Sequence, residues 1–141
     1  MMVLVDTSVW SLALRRRPGD LSPAEERIVA TWAELVRWGR VRMIGPIRQE
    51  LLSWIRSEKQ FSHLKSALEA FPDEALETED YIEAARFFNL CRSRGVTPAH
   101  IDLLICATAI RRKWAVFSLG ADFQRYARIL SLRLHSPGRA R

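Results

Sequence analysis

The chain is poor in cysteine, histidine and lysine, and it lacks any long apolar run. Each shortage removes a class of function. Cys91 and Cys106 show no CxxC or Cys/His spacing, so neither a zinc ribbon nor a redox dithiol is expected. Both fall on apolar helical faces and read as buried small hydrophobes, compatible with a reducing cytoplasm. His63, His100 and His135 form no HxxxH-like pair, which makes zinc a poor fit. No apolar stretch approaches the roughly 20 residues that cross a bilayer. The start, Met-Met-Val-Leu-Val-Asp, has no charged region before its short apolar run, so no secretory signal is expected. The expectation is a cytoplasmic protein with no membrane partner. Without a P-loop or GxGxxG, ATPase and dinucleotide oxidoreductase readings lose support. Without GxSxG, so does an esterase elbow.

What remains is a chain of 141 residues, 48% hydrophobic, with five Trp and six Phe. That suffices for one core and one domain, assigned to residues 1–135, followed by a basic tail over 136–141. The formal net charge is +6, from 22 Lys+Arg against 16 Asp+Glu. Only Lys59, Lys65 and Lys113 are lysines; the other cations are arginine, whose planar fork suits phosphates and stacks on bases. A polyanionic partner and a GC-rich coding sequence explain this composition equally well.

Hydrophobic periodicity alternates between strand and helix. Met2–Val5 reads as a buried strand ending at Asp6, followed by a helix that Thr7 or Ser8 caps and that carries Val9, Trp10, Ala13 and Leu14. The run from Arg15 to Asp20 breaks it. Ser22-Pro23-Ala24-Glu25 has the form of a capping box, opening a helix with Ile28, Trp32, Leu35 and Val36 that ends at Gly39. Val41–Ile44 reads as a strand, Pro46–Ile55 as a helix, and Phe61–Phe71 as another before Pro72. Ala75–Glu77 reads as a short strand. Thr78 is expected to cap a helix with Tyr81, Ala84, Ala85, Phe88 and Cys91 on its apolar face, closed by Gly95. Thr97-Pro98 opens a helix to Arg112, Trp114–Ser118 is a strand, and a short helix spans Phe123–Arg128. Leu130, Leu132 and Leu134 alternate with polar residues as an edge strand would. The pattern predicts a three-layer α/β/α fold around a mostly parallel sheet of four to five strands.

Three carboxylates sit in apolar surroundings: Asp6 after a strand, Glu50 before Leu51-Leu52, and Asp102 within Ile101-Asp102-Leu103-Leu104-Ile105. Singly, each reads as an acid near a helix start. Together they lie where a doubly wound sheet gathers its ligands, beyond the carboxyl ends of the strands. Carboxylates brought together there repel, so either their pKa values rise or a divalent cation neutralises them. Hard oxygen donors with few histidines suit Mg²⁺, or Mn²⁺ in its place. Such an ion beside a basic surface suits phosphodiester hydrolysis.

The blocks carrying these acids resemble the PIN-domain family, and within it the VapC-like toxins of bacterial toxin–antitoxin pairs. Val3-Leu4-Val5-Asp6-Thr7-Ser8-Val9-Trp10 is similar to the family's opening strand, acid and hydroxyl pair. Pro46-Ile47-Arg48-Gln49-Glu50-Leu51 resembles its second block, Gly95 through Ala109 its third, and Phe117-Ser118-Leu119-Gly120-Ala121-Asp122-Phe123 its fourth. The order is right and nearly the whole chain is covered. There is one departure: Gly120 stands where many relatives carry the fourth acid, leaving Asp122 to take that role or to cap a short helix.

The resemblance implies a Mg²⁺-dependent endoribonuclease that inhibits growth by cutting RNA of the translation machinery, tRNA or rRNA. It also implies a homodimer and a VapB-like antitoxin. Asp6, Glu50, Asp102 and Asp122 are then the metal-binding and catalytic acids, Glu50 directly or through water, with Ser8 and Ser118 orienting carboxylates. Arg15, Arg16 and Arg17 are candidate phosphate contacts. Arg37, Trp38, Arg40 and Arg42 interleave an aromatic with bases, although Trp38 is expected to pack as core. Core burial is also expected of Trp10 and Trp54, one of which is the alternative contact for a partner helix.

Two other classes compete. A PIN fold without activity would bind nucleic acid or antitoxin and cut nothing, as Gly120 hints. A receiver-like phosphoacceptor would need paired acids after the first strand, where this chain has Thr7-Ser8, and an Asp where it has Ala75-Leu76-Glu77.

Overall fold

The computed structural model describes residues 1–138. Of the tail expected at 136–141, positions 139–141 lie outside the described residues, and Gly138 donates its backbone N–H to Thr31 Oγ1 at 3.0 Å.

The elements run β1 (Val3–Val5), α1 (Thr7–Arg15), a 3-10 turn (Pro18–Asp20), α2 (Pro23–Arg37), β2 (Val41–Arg42), α3 (Gly45–Leu52) and α4 (Glu58–Leu68). Then come α5 (Thr78–Ser93), α6 (His100–Arg112), β3 (Ala115–Phe117), α7 (Ala121–Ala127) and β4 (Arg133–Leu134). The strands form one parallel sheet in the order β2-β1-β3-β4. Val3 pairs with Val41 on one side and Ala115 on the other, so β1 is central. All three residues of β1 and of β3 are buried, as strands covered on both faces must be. From β1 the chain moves to one side of the sheet, and from β3 to the other. Right-handed crossovers then place α1 and α2 on one face and α7 on the opposite face.

Trp10, fully buried, anchors the first layer. Its indole N–H donates to the Val5 carbonyl at 3.0 Å, and its ring meets Trp32 and Phe71 edge-on. On the other layer α5 and α6 are clamped by Asp80, itself 0% exposed. Asp80 accepts from Arg111 at 2.6 Å, from Arg112 at 2.7 and 2.9 Å, and from the Glu77 backbone N–H at 2.7 Å. These donors hold its carboxyl well below the usual range, with Arg112 first among them. Cys91 and Cys106 are buried free thiols, as expected.

The structure departs from the sequence reading at several boundaries. Ala75–Glu77 is not a strand; the sheet's approach there shrinks to one bridge between Met43 and Asp73. The N-cap of α5 is Glu77 rather than Thr78, with Asp80 reaching back to complete the capping box. α3 stops at Leu52, before Ile55, where Ser53 turns to extended backbone (φ −72°, ψ 154°), followed by a left-handed Trp54 at φ 69°. α4 ends at Leu68 and α6 begins at His100, after an Ala99 cap. Leu130 and Leu132 are buried, but β4 covers only Arg133–Leu134, both exposed. Tyr81 and Ala85, assigned to an apolar face, are exposed. So are Trp38, at 67%, and Trp54, at 96%. Periodicity marks which residues share a helical face, but not whether another element covers it.

Candidate active site

β1 and β3 are neighbours whose outgoing connections turn to opposite sides, which opens a crevice at their carboxyl ends. Asp6 follows β1, and its backbone carbonyl starts α1 by accepting from Val9 and Trp10. Its carboxylate does not cap that helix. Instead Oδ2 accepts from Ser8 Oγ at 2.9 Å and from Ser118 Oγ, just after β3, at 2.8 Å. Ser8 Oγ in turn accepts from the Leu119 N–H at 3.0 Å, and Ser118 Oγ from the Gly120 N–H at 3.1 Å. Two hydroxyls from distant parts of the chain thus fix one oxygen of Asp6.

Asp102 arrives from the opposite direction. α6 leads into β3, so it runs antiparallel to the strand and begins at the strand's carboxyl edge, with Asp102 in its first turn. Asp102 is partly buried and accepts from the phenol of Tyr126 at 2.9 Å. Burial pushes its carboxyl above the ordinary value; the Tyr126 hydrogen bond acts against that, and the charges of Asp6, Asp122 and Glu50 add to it. The same three acids were singled out in the sequence, and the charge of each acts on Asp102. Glu50, expected in apolar surroundings, faces solvent while its neighbour Leu51 is buried. Its Oε2 accepts from Thr7 Oγ1 at 3.0 Å, which ties α3 to the start of α1. Asp122 is exposed and paired with Arg125 at 2.7 Å. It makes no side-chain cap for α7. Gly120 has an ordinary backbone, and a Cβ there would meet Ser118 Oγ at 3.6 Å.

Sequence reasoning missed Tyr126, whose signal was available: a tyrosine on the apolar face of a short helix, three residues after Phe123, needs a partner for its hydroxyl. Thr7 and Ser8 were read as the cap of α1 and as a hydroxyl pair; the N-cap position is Asp6 instead. Arg15 and Arg17 are exposed, and Arg16 lies 3.7 Å from Glu25.

Among the described residues no group of three or more Asp, Glu, His or Cys side chains is placed to hold a metal ion. Mg²⁺ does not require one, because it keeps several waters and commonly takes one or two carboxylates. Hard carboxylate oxygens around Asp102, whose own pKa is raised by burial and by the charges of the other three, with Asp6, Glu50 and Asp102 each held by a hydroxyl, suit such an ion.

The order of the strands, the crevice and its acids define an α/β/α domain with a carboxylate site at the sheet's switch point. A family model for the PIN domain matches residues 3–129, and the chain belongs to that family. No curated protein matches it. Among solved structures it is similar to FitAcB from Neisseria gonorrhoeae, with 22% identity, a TM-score of 0.75, and coverage of 96% of this chain and 98% of that one. It is also similar to VapBC2 from Rickettsia felis bound to a promoter DNA fragment, with 15% identity, a TM-score of 0.74, and coverage of 96% and 98%. VapBC-1 from nontypeable Haemophilus influenzae follows at 16% identity and a TM-score of 0.71, covering 96% and 97%. At these identities the likeness concerns the fold. Among the described residues no helix is long and apolar enough to cross a membrane.

Proposed function

We propose that this chain is a metal-dependent endoribonuclease, a growth-inhibiting toxin restrained by a VapB-like antitoxin and acting on tRNA or rRNA as a homodimer. One observation carries the catalytic part: Asp102 is desolvated and sits within the field of Asp6, Asp122 and Glu50. Concentrated negative charge opposes folding unless it serves a cation. Asp6 and Asp102 would hold Mg²⁺, or Mn²⁺ in its place, with Glu50 and Asp122 as further ligands acting through its waters. Such an ion, when bound, supplies an activated water and neutralises charge on the departing oxygen.

The protein's own residues prepare that chemistry. Ser8 and Ser118 fix the orientation of Asp6. Tyr126 favours the ionised form of Asp102 against its burial. Thr7 steadies Glu50, a solvent-facing carboxylate suited to orienting the attacking water. Arg15, Arg16 and Arg17 supply positive charge at the far end of α1 for phosphates. The antitoxin reading draws on the similar structures, which are VapBC and FitAB assemblies.

The test is RNA cleavage by the full chain with Mg²⁺ or Mn²⁺, with chelator, and in Asp6→Asn and Asp102→Asn. Cleavage should require the ion and fall to background in both variants; a folded Asp102→Asn protein that still cuts would defeat the assignment. RNA ends sequenced after induction, beside Asp6→Asn, identify the target, and co-expression of a neighbouring reading frame tests the antitoxin. A second reading is favoured by Gly120 and by the pairing of Asp122 with Arg125: a catalytically impaired PIN protein that binds nucleic acid or antitoxin. It predicts affinity without cleavage under any metal.

A further inference from the structure

Asp122, Gln124 and Arg125 of α7 are exposed, and Tyr126, at 1%, is the one polar side chain of that helix turned inward. Phe123 meets its ring edge-on at 5.5 Å, and its backbone carbonyl accepts from Ile129 and Leu130. Ring and backbone are therefore fixed without the hydroxyl, and phenylalanine would pack there as well. What the hydroxyl adds is a hydrogen bond to Asp102 Oδ2 at 2.9 Å.

The two carboxylates assigned to the ion share one pattern. Both donors to Asp6, Ser8 at 2.9 Å and Ser118 at 2.8 Å, fall on Oδ2, and the donor to Asp102 also takes Oδ2. Among the described residues neither Oδ1 receives a hydrogen bond. A carboxylate oxygen has two lone pairs. Two hydroxyls fill Asp6 Oδ2, and losing one would leave the other. Asp102 Oδ2 has Tyr126 alone, so a single side chain decides which oxygen of Asp102 stays open.

Ions differ in what they require of a carboxylate. Mg²⁺ demands a near-ideal octahedron at about 2.0–2.1 Å. The two oxygens of one carboxylate sit too close together to fill two of its corners. Ca²⁺, at about 2.3–2.6 Å with more ligands and looser geometry, readily takes both.

We propose that Tyr126 is a positioning residue that presents Asp102 to the ion through Oδ1 alone, and that its hydroxyl thereby selects Mg²⁺ or Mn²⁺ against Ca²⁺. The proposal rests on the metal-dependent reading above and names what makes that site selective. Chelation by both oxygens of Asp102 would displace the phenol, which packing holds in place and which has little access to water. A buried hydroxyl left without a partner is costly. That cost falls on an ion using both oxygens and spares one using a single oxygen.

Isothermal titration of the full chain with MnCl₂ and, separately, CaCl₂ tests this without RNA or cleavage. Wild type should bind Mn²⁺ more tightly than Ca²⁺. Tyr126→Phe keeps the ring and should stay folded, as circular dichroism in EDTA will show. Its Mn²⁺ affinity should fall about 10-fold or more, while its Ca²⁺ affinity holds or rises. Phe123→Leu disturbs the packing of α7 but leaves the hydroxyl on Asp102, and should keep the wild-type preference. A Tyr126→Phe protein with the wild-type preference overturns the proposal. So do equal losses for both ions, the result of a purely structural role, and a Phe123→Leu protein that loses the preference as well. Equal wild-type affinities for the two ions also overturn it. A wild type that binds neither ion defeats the metal reading and this one with it. A wild type that binds Mn²⁺, with Tyr126→Phe unchanged, defeats only this one.

Discussion

Replacing Asp80 with Asn tests whether the clamp between α5 and α6 positions the helix that carries Asp102. Asp80 is fully buried and faces two guanidiniums, Arg111 with 29% and Arg112 with 17% of the side chain exposed. Removing one partner of a buried ion pair costs about 3–5 kcal/mol, because the other charge is left stranded. Both arginines keep some access to water, which lowers the expectation to about 2–4 kcal/mol. For a domain of this size each kcal/mol shifts Tm by roughly 3–4 °C, giving a fall of about 6–16 °C. Native stabilities of about 5–15 kcal/mol leave the variant folded at room temperature. Urea unfolding at 25 °C, followed by tryptophan fluorescence, measures the difference at neutral pH and then as pH is lowered. Because the folded carboxyl titrates well below its unfolded value of about 3.9, Asp80 contributes its full stability above that value. The contribution shrinks as pH falls toward the folded pKa. The gap between wild type and Asp80→Asn should therefore be constant above about pH 5 and narrow below about pH 4. A cost under about 1 kcal/mol, or a gap that stays constant into acid, would refute the reasoning.

Three further outcomes follow from the site. Ser118→Ala and Ser8→Ala each remove one hydroxyl from Asp6 Oδ2; RNA cleavage should fall about 10-fold or more in each, and an unchanged rate in the double variant would show that the orientation of Asp6 does not matter. Gly120→Asp is sterically accommodated, since its Cβ contact at 3.6 Å is ordinary. By adding a carboxylate it should lower Tm in EDTA and enlarge the rise in Tm on adding Mg²⁺, and a smaller rise than wild type would contradict a shared cation site. Leu103→Ala, beside Asp102 but fully buried, should cost about 2–5 kcal/mol in urea unfolding; a loss under about 1 kcal/mol would show that this face of α6 is not packed as described.

Much of this protein can be read along the chain because local physics decides it. The buried run before Asp6 is a strand since covered strands are apolar throughout, and the Ser22 capping box forms as its spacing requires. The acids at Asp6, Glu50 and Asp102 stand out because carboxylates beside apolar runs need a reason. Other features depend on what lies opposite. Trp10 and Trp54 occur in similar sequence surroundings, yet one is the center of the core and the other faces solvent. The difference is whether α2 reaches across to cover the ring, as Trp32 does for Trp10.

From sequence alone came the alternation of strands and helices, the order of the acid blocks and the family they resemble. Each depends on spacing over a few residues or on the composition of a short run. Only the folded chain decided which groups hold which acids: Ser118, 112 residues away, on Asp6; Tyr126 on Asp102; and two arginines on Asp80. Hydrogen bonds and charge–charge fields act through space between groups that covalent order leaves far apart. Strand pairing and helix packing must bring them together before these interactions exist.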